Sequence, residues 1–279
     1  MVRYCRIFAV LLRETGIERF IKGATFIQLF VGRWSNMIRI FLGNPGSGKT
    51  LSCVADMLKN NKGIVTYSNI LTNKIPNNIP FTREMLIKEE YNEKGKLLKQ
   101  SLNVEFWQEA IKKHKAINII IDEAHTVFNA RRSMSKNNII MTDFLALIRR
   151  MIGSKSTKHG TLTLISQLHN RLDNISRDMA TQVRYHLYNS CKRCLKCNLH
   201  WFETNLSQEE LFICPRCNSK RIDEYNNYID VWCFTCMDDY LKWKEFGVRT
   251  FYDFYRMTDP TKYFKYYDTL QLDNLISHY

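Results

Sequence analysis

The chain has 279 residues, 45% of them hydrophobic and 13% aromatic, and a formal net charge of +14. That length holds one ordinary α/β domain with a smaller attachment, and that composition excludes an intrinsically disordered chain. No apolar run approaches a membrane span, and no small-residue cleavage site follows the short apolar patch at 7–12, so neither a transmembrane span nor a secretory leader is expected. The basic balance favours a polyanionic partner, either nucleic acid or an acidic membrane surface.

Residues 1–36 form a basic N-terminal extension, in which Arg3, Arg6, Arg13, Arg19, Lys22 and Arg33 outnumber Glu14 and Glu18. They read either as one or two amphipathic helices or as an over-extended reading frame whose true start is Met37. From 37 to 188 short apolar runs alternate with helical patterns, the signature of an α/β domain with a parallel sheet. Strands are expected at 38–42, 63–67, 117–121, 161–165 and 183–188, and a helix at 48–58. A loop is expected over 69–80, with polar helices near 82–90 and 103–114. Ile140, Phe144, Leu147, Ile148 and Met151 then lay one apolar stripe along a helix that Gly153 ends. Residues 189–240 form a cysteine module and 241–279 a tail rich in Tyr and Phe, each expected as a separate unit.

The eight residues Gly43, Asn44, Pro45, Gly46, Ser47, Gly48, Lys49 and Thr50 fit G-x-x-x-x-G-K-[ST] between a strand and a helix. Glycines let the backbone turn its N–H groups onto phosphate oxygens, and the helix beginning there adds its positive end. Lys49 would place a charge on the β- and γ-phosphates of ATP, and the Thr50 hydroxyl would ligate Mg2+. The buried run Ile117–Ile121 ends in Asp122 and Glu123. Asp122 is the expected second magnesium ligand, and Glu123 the group that orients and deprotonates the attacking water. The letters Asp122-Glu123-Ala124-His125 spell a helicase box, but the chain after His125 is too short for two tandem motor domains. Gln167, at the end of the fourth expected strand, suits a γ-phosphate sensor because an amide both donates and accepts.

Ile121 to His125, Phe128, Arg131, His159-Gly160, Leu164 to Gln167, Leu172-Asp173 and Arg177 together resemble the zonular occludens toxin-like family. That family includes the assembly ATPases of filamentous phages and belongs to the FtsK/HerA-like superfamily, which also contains viral genome-packaging ATPases. The resemblance covers roughly residues 38–187. It implies a P-loop NTPase parallel sheet of strand order 5-1-4-3-2, the fourth strand lying between the two motif strands. It also implies a homo-oligomeric ring, a hexamer above all, that couples ATP hydrolysis to moving DNA or assembling a virion. Such rings complete each site with an arginine from the neighbouring subunit. Arg149, Arg150 and Arg177 are candidates, with Arg177 preferred. Phage members typically carry a membrane span after the ATPase domain, and here a cysteine module stands in that place.

Cys194-x-x-Cys197 and Cys214-x-x-Cys217, each followed by Asn, have the spacing of a zinc ribbon, with Zn2+ held by four thiolates. Cys191 could replace Cys197, or join His200, Cys233 and Cys236 around a second ion. Clustered C-x-x-C pairs point to a reducing, cytoplasmic setting rather than a disulfide framework. Lys192, Arg193, Lys196, Arg216, Lys220 and Arg221, interleaved with Trp201, Phe202 and Phe212, suit phosphate contact and base stacking, or docking to a protein. The expected function is therefore a DNA-translocating, virion-assembly or genome-packaging ATPase with a zinc ribbon as its grip. The alternatives are a nucleotide-dependent switch in replication or transcription, and a membrane-associated assembly protein anchored through 1–36.

Overall fold

The structure, a computed structural model, describes residues 36–59, 64–72, 74–114, 116–128, 136–152, 160–202 and 213–272. The expectations for residues 1–35, Arg131, His159 and Phe212 lie outside this set, as do those for the side chains of Arg149, Arg150 and Phe202. From Asn36 onward the described residues belong to one compact unit.

Its centre is a sheet built on β1 (Asn36–Leu42), β2 (Val65–Ser68), β7 (Ile117–Ile121), β8 (Gly160–Ile165) and β9 (Gln182–Cys194). These run β9-β1-β8-β7-β2, the expected 5-1-4-3-2 order, and all are parallel. Ile40 faces Leu164 on one side and Val183 on the other, so the first motif strand is paired along both edges. The Ile and Leu content that marks these runs follows from burial on both faces. On one face Ile38, Ile40 and Leu42 pack with Phe144 and Ile148 of α4 (Lys136–Ile152) and with Trp107 of α3 (Val104–Lys113). On the other, Phe41, Ile120 and Ile165 pack with Cys53, Val54 and Met57 of α1 (Lys49–Lys59).

Two segments depart from expectation. The loop at 69–80 contains β3 (Ile70–Thr72) and β4 (Asn78–Pro80), and β4 joins β2 in parallel. The helix expected at 82–90 is only the single turn α2 (Arg83–Leu86), followed by the antiparallel hairpin β5 (Ile87–Tyr91) and β6 (Leu97–Leu102). The hairpin wins because Asn92 Oδ1 accepts from the N–H groups of Lys94 and Lys96 and Gly95 takes φ 73°. That is a turn chemistry a helix cannot use.

The separation into units is also different. β9 does not stop at 188 but continues to Cys194, and β11 (Ile222–Phe234) pairs antiparallel with it along its whole length. β10 (His200–Phe202) pairs with the outer part of β9. The boundaries expected at 188 and 240 fall inside β9 and inside α6 (Met237–Phe246), which follows α5 (Asn174–Asp178) in the helix order. The aromatic tail is a structural layer. β12 (Asp253–Thr258) pairs with β11, a 3-10 segment (Pro260–Tyr266) follows, and β13 (Tyr267–Leu272) pairs with β3. Tyr266 and Tyr267 pack against the cluster holding Cys53, Val54 and Met57, so the end of the chain covers the helix near its beginning. None of the described helices is long and apolar enough to cross a membrane.

Candidate nucleotide site and four-cysteine cluster

Gly43–Gly48 turn between β1 and α1, with Gly43, Gly46 and Gly48 at φ 148°, 75° and 86°. Only glycine holds such angles without strain. Two of these positions have no room for a side chain either. A Cβ on Gly43 would stand 2.4 Å from Ser47 Oγ and 2.5 Å from the His186 carbonyl oxygen. A Cβ on Gly48 would stand 2.2 Å from Ile229 Cδ1. The loop therefore lies directly on β9 and β11.

Lys49 Nζ donates to the carbonyl oxygens of Gly43 and Asn44, both at 2.9 Å, which bends the ammonium across the loop and leaves one of its three protons for a ligand. Burial lowers its pKa, and the nearby carboxylates of Asp122 and Glu123 oppose the shift. Ser47 Oγ is buried in the same turn without a hydrogen-bond partner. A cradle closed to side chains, an orphaned hydroxyl and a folded-back ammonium fit a phosphate group.

Thr50 Oγ1 donates to Asp122 Oδ2 at 2.7 Å. Two adjacent oxygens on an octahedral Mg2+ stand roughly 2.9 Å apart, so this pair has the spacing of two ligands to one ion. Asp122 is buried, and desolvation raises its pKa against the hydrogen bonds from Thr50 and the Glu123 N–H that favour its charge. A cation at this point would remove that penalty. The Asp122 backbone is held by Asn69, whose Oδ1 accepts from Asp122 N at 2.7 Å and whose Nδ2 donates to Asp122 O at 3.0 Å. Asn69 follows β2 directly, and sequence reasoning missed it. The available signal was a polar residue immediately after a buried strand, placed beside the carboxylate strand.

β7 and β8 are neighbours in register, Ile121 opposite Leu164, so their ends bring Glu123 and Gln167 together. Gln167 Nε2 donates to Glu123 Oε1 at 3.2 Å. Glu123 itself has left-handed backbone angles, φ 50° and ψ 41°. Arg177, on α5, donates to Asn174 Oδ1 within its own short helix. Beneath the loop, His186 is fully buried, with Nδ1 3.3 Å from Leu42 O. Burial and the adjacent Arg184 push its pKa down to about 3, so the ring is neutral. A small depression lined by Arg39, Asp56, Asn118, Thr161 and Thr163 lies under α1 on the sheet, apart from the phosphate loop.

At the far end of β9 and β11, Cys194, Cys197, Cys214 and Cys217 converge with all four sulfurs within 4.8 Å of one another. The Cys194–Cys217 and Cys197–Cys214 pairs are 3.5 Å apart, close to the roughly 3.8 Å edge of a tetrahedral zinc–thiolate site. The two knuckles repeat each other. Asn198 and Asn218 take φ 59° and 54° and donate their N–H groups to Cys194 O and Cys214 O, each at 2.9 Å. Against desolvation, the N–H groups of Cys197 and Lys196 bring the Cys194 thiol down to about 6. The Ser219 N–H works to lower the Cys217 thiol, but desolvation and the three neighbouring cysteines together push it up to about 12. Four thiols this close ionise together only around a cation, which fits a metal ion.

Among the described residues the other cysteines do not form a second site. Cys191 lies opposite Tyr225 and Cys233 opposite Arg184, seven rungs apart on the β9–β11 ladder, roughly 23 Å. Cys191 therefore cannot join Cys233, nor does it belong to the four-sulfur group. Lys192 is a further correction: its side chain is 1% exposed and paired with Glu224 at 3.3 Å, so it offers nothing to a polyanion. Arg193, Lys196, Arg216, Lys220 and Arg221 do face solvent around the knuckles.

The fold and the site define a P-loop nucleoside-triphosphatase-type α/β domain extended by a four-cysteine cluster. A family model, Zonular occludens toxin (Zot), matches residues 37–206, and the chain belongs to that family. No curated protein matches the chain. Among solved structures, it is similar to the N-terminal domain of zonular occludens toxin from Neisseria meningitidis at 19% identity, over 83% of this chain and 98% of that one, with a TM-score of 0.43. It is also similar to B204, the DNA-packaging ATPase from Sulfolobus Turreted Icosahedral Virus, at 18% identity, over 71% and 92% of the two chains, with a TM-score of 0.36. The family assignment rests on the match over 37–206.

Proposed function

We propose that this chain binds ATP with Mg2+ at Gly43–Thr50 and Asp122 and hydrolyses it with Glu123 as the base. The observation that carries the reading is the joining of the two motifs: Thr50 meets Asp122 at 2.7 Å while Gln167 meets Glu123 at 3.2 Å, one end of the sheet holding all four. When bound, magnesium would draw charge from the β- and γ-phosphates. Lys49 and the loop N–H groups bind the same oxygens, Asn69 keeps Asp122 in place, and Glu123 takes a proton from the attacking water. Gln167, touching Glu123, is placed to report a γ-phosphate to the base.

Membership of the Zot family supports the wider reading, a ring-forming motor for DNA translocation, virion assembly or genome packaging, with Arg177 offered to the next subunit. The exposed cations around the cysteine knuckles support DNA contact by a zinc-loaded ribbon, and the C-x-x-C spacing of Cys194, Cys197, Cys214 and Cys217 supports a reducing cytoplasmic setting. In this scheme the strand ends around Gly43–Thr50 and Asp122 supply the nucleotide chemistry and the cysteine knuckles the grip.

The test is ATP turnover by the zinc-loaded full chain with and without single- and double-stranded DNA, beside Lys49→Ala and Glu123→Gln. The expected result is DNA-stimulated turnover, no nucleotide binding in Lys49→Ala, and binding without turnover in Glu123→Gln. Tight ATP binding with no turnover in the unaltered protein would leave a nucleotide-dependent switch in place of a motor.

A further inference from the structure

Glu123 is held from more than one side. Its left-handed backbone, φ 50°, is one a non-glycine residue keeps only where its surroundings fix it. The 3-10 turn Ala124–Thr126 supplies part of that, with Thr126 N donating to Glu123 O at 2.8 Å and Phe128 N to Ala124 O at 2.8 Å. Gln167 occupies Oε1. The other carboxylate oxygen, Oε2, is buried and makes no well-aligned hydrogen bond.

From that turn His125 Nδ1 lies 3.1 Å from Oε2, and it too is buried without an aligned partner. The distance is that of a hydrogen bond and only the angle is off. A carboxylate oxygen and an imidazole nitrogen at 3.1 Å attract one another only if the nitrogen carries a proton, because two lone pairs repel. Burial disfavours a cationic imidazole; the Glu123 carboxylate opposes that shift, and Arg171, from the 3-10 turn His169–Arg171, adds to it. The arrangement therefore selects the neutral tautomer with hydrogen on Nδ1. A modest rotation of the ring aligns the pair, as active-site hydrogen bonds that are bent without substrate commonly straighten when it binds.

We propose that His125 is a positioning residue for the base: its Nδ1–H holds Glu123 Oε2 while Gln167 holds Oε1, so that the carboxylate is aimed before water arrives. The inference rests on the hydrolytic reading above and concerns how that base is oriented. His125 lies three residues beyond the magnesium-binding Asp122 and touches neither nucleotide nor metal in this scheme, so it acts through Glu123.

Two measurements test it. In ATP turnover, His125→Ala should lower kcat about tenfold with KM for ATP unchanged, and His125→Asn, whose amide reaches the Nδ1 position, should recover most of the loss. A kcat within twofold of the unaltered protein in His125→Ala, or no recovery in His125→Asn, overturns the proposal. The second measurement needs no turnover: nitrogen-15 shifts of the His125 ring in the full chain should report hydrogen on Nδ1, and this preference should weaken in Glu123→Gln. Hydrogen on Nε2 in the unaltered protein would overturn the proposal whatever the turnover. Absence of Glu123-dependent turnover, by contrast, would sink the hydrolytic reading and is seen in a different experiment.

Discussion

Gly48→Ala adds one methyl group where the C-terminal half of the chain touches the phosphate loop, and its effect can be worked out from the structure. The new Cβ would stand 2.2 Å from Ile229 Cδ1 and 2.8 Å from Cγ1, at a residue whose φ is +86°. A left-handed backbone costs an L-residue about 1–2 kcal/mol. Carbon atoms rest about 3.5–4 Å apart, so Ile229 would have to move by more than 1 Å. Ile229 is fully buried and cannot swing into solvent, which places the clash in the range of about 1–3 kcal/mol for an overpacked core. The sum is about 2–5 kcal/mol. Ile229→Ala removes the atoms that are struck, at its own loss of about 2–5 kcal/mol. In the double variant the clash disappears and the backbone strain stays. The pair should therefore be less destabilised than the sum of the single variants by about 1–3 kcal/mol. Urea unfolding followed by tryptophan fluorescence measures this cycle. Additivity within about 0.5 kcal/mol would refute the contact as described.

Asn69→Ala leaves the N–H and C=O of Asp122 buried without partners, and should destabilise the fold by about 1–3 kcal/mol while lowering kcat at least tenfold. Unchanged turnover would count against the clamp. His186 is neutral in the fold, with its pKa lowered from 6.5 to about 3, so between those values the unfolded chain takes up a proton that the folded one refuses. Its stabilising contribution is present above pH 6.5 and is lost as pH falls toward 3, by about 3 kcal/mol at pH 4.5. Unfolding free energies at pH 7 and 4.5 should therefore differ less in His186→Asn than in the unaltered protein, and equal differences would contradict the burial argument. Cys214→Ser should release the metal: elemental analysis is expected to find one zinc per unaltered chain and a small fraction of that in the variant. Full retention would show that the four sulfurs are not the ligand set.

The core of the fold was legible because its signals are local. The Ile and Leu runs of β1, β7 and β8, the glycine spacing before Lys49 and the apolar stripe of α4 each declare themselves within a dozen residues. The strand order was available only through the family resemblance, which sets the strand ending at Gln167 between the two motif strands; the meeting of Gln167 with Glu123 agrees with it. What stayed hidden is non-local. Nothing between 189 and 240 announces that Cys194 ends a strand begun at Gln182, because the outer half of β9 is polar and its partner β11 lies far along the chain. Lys192 read as a surface cation because its burial depends on that pairing. Asn69 and Ile229 carry no motif at all, and each matters only through the residue it meets.

The packing of Tyr266 and Tyr267 against Cys53, Val54 and Met57 also sets an order on biosynthesis. The helix at Lys49–Lys59 leaves the ribosome early, but its covering layer ends with the strand at Tyr267–Leu272. At about 5–20 residues per second, some 10–40 s separate the two. During that interval a nascent chain has made its phosphate-binding sequence and cannot yet shield the helix that follows it, so stalled or truncated products ending before Tyr267 should be the species that chaperones and proteases capture.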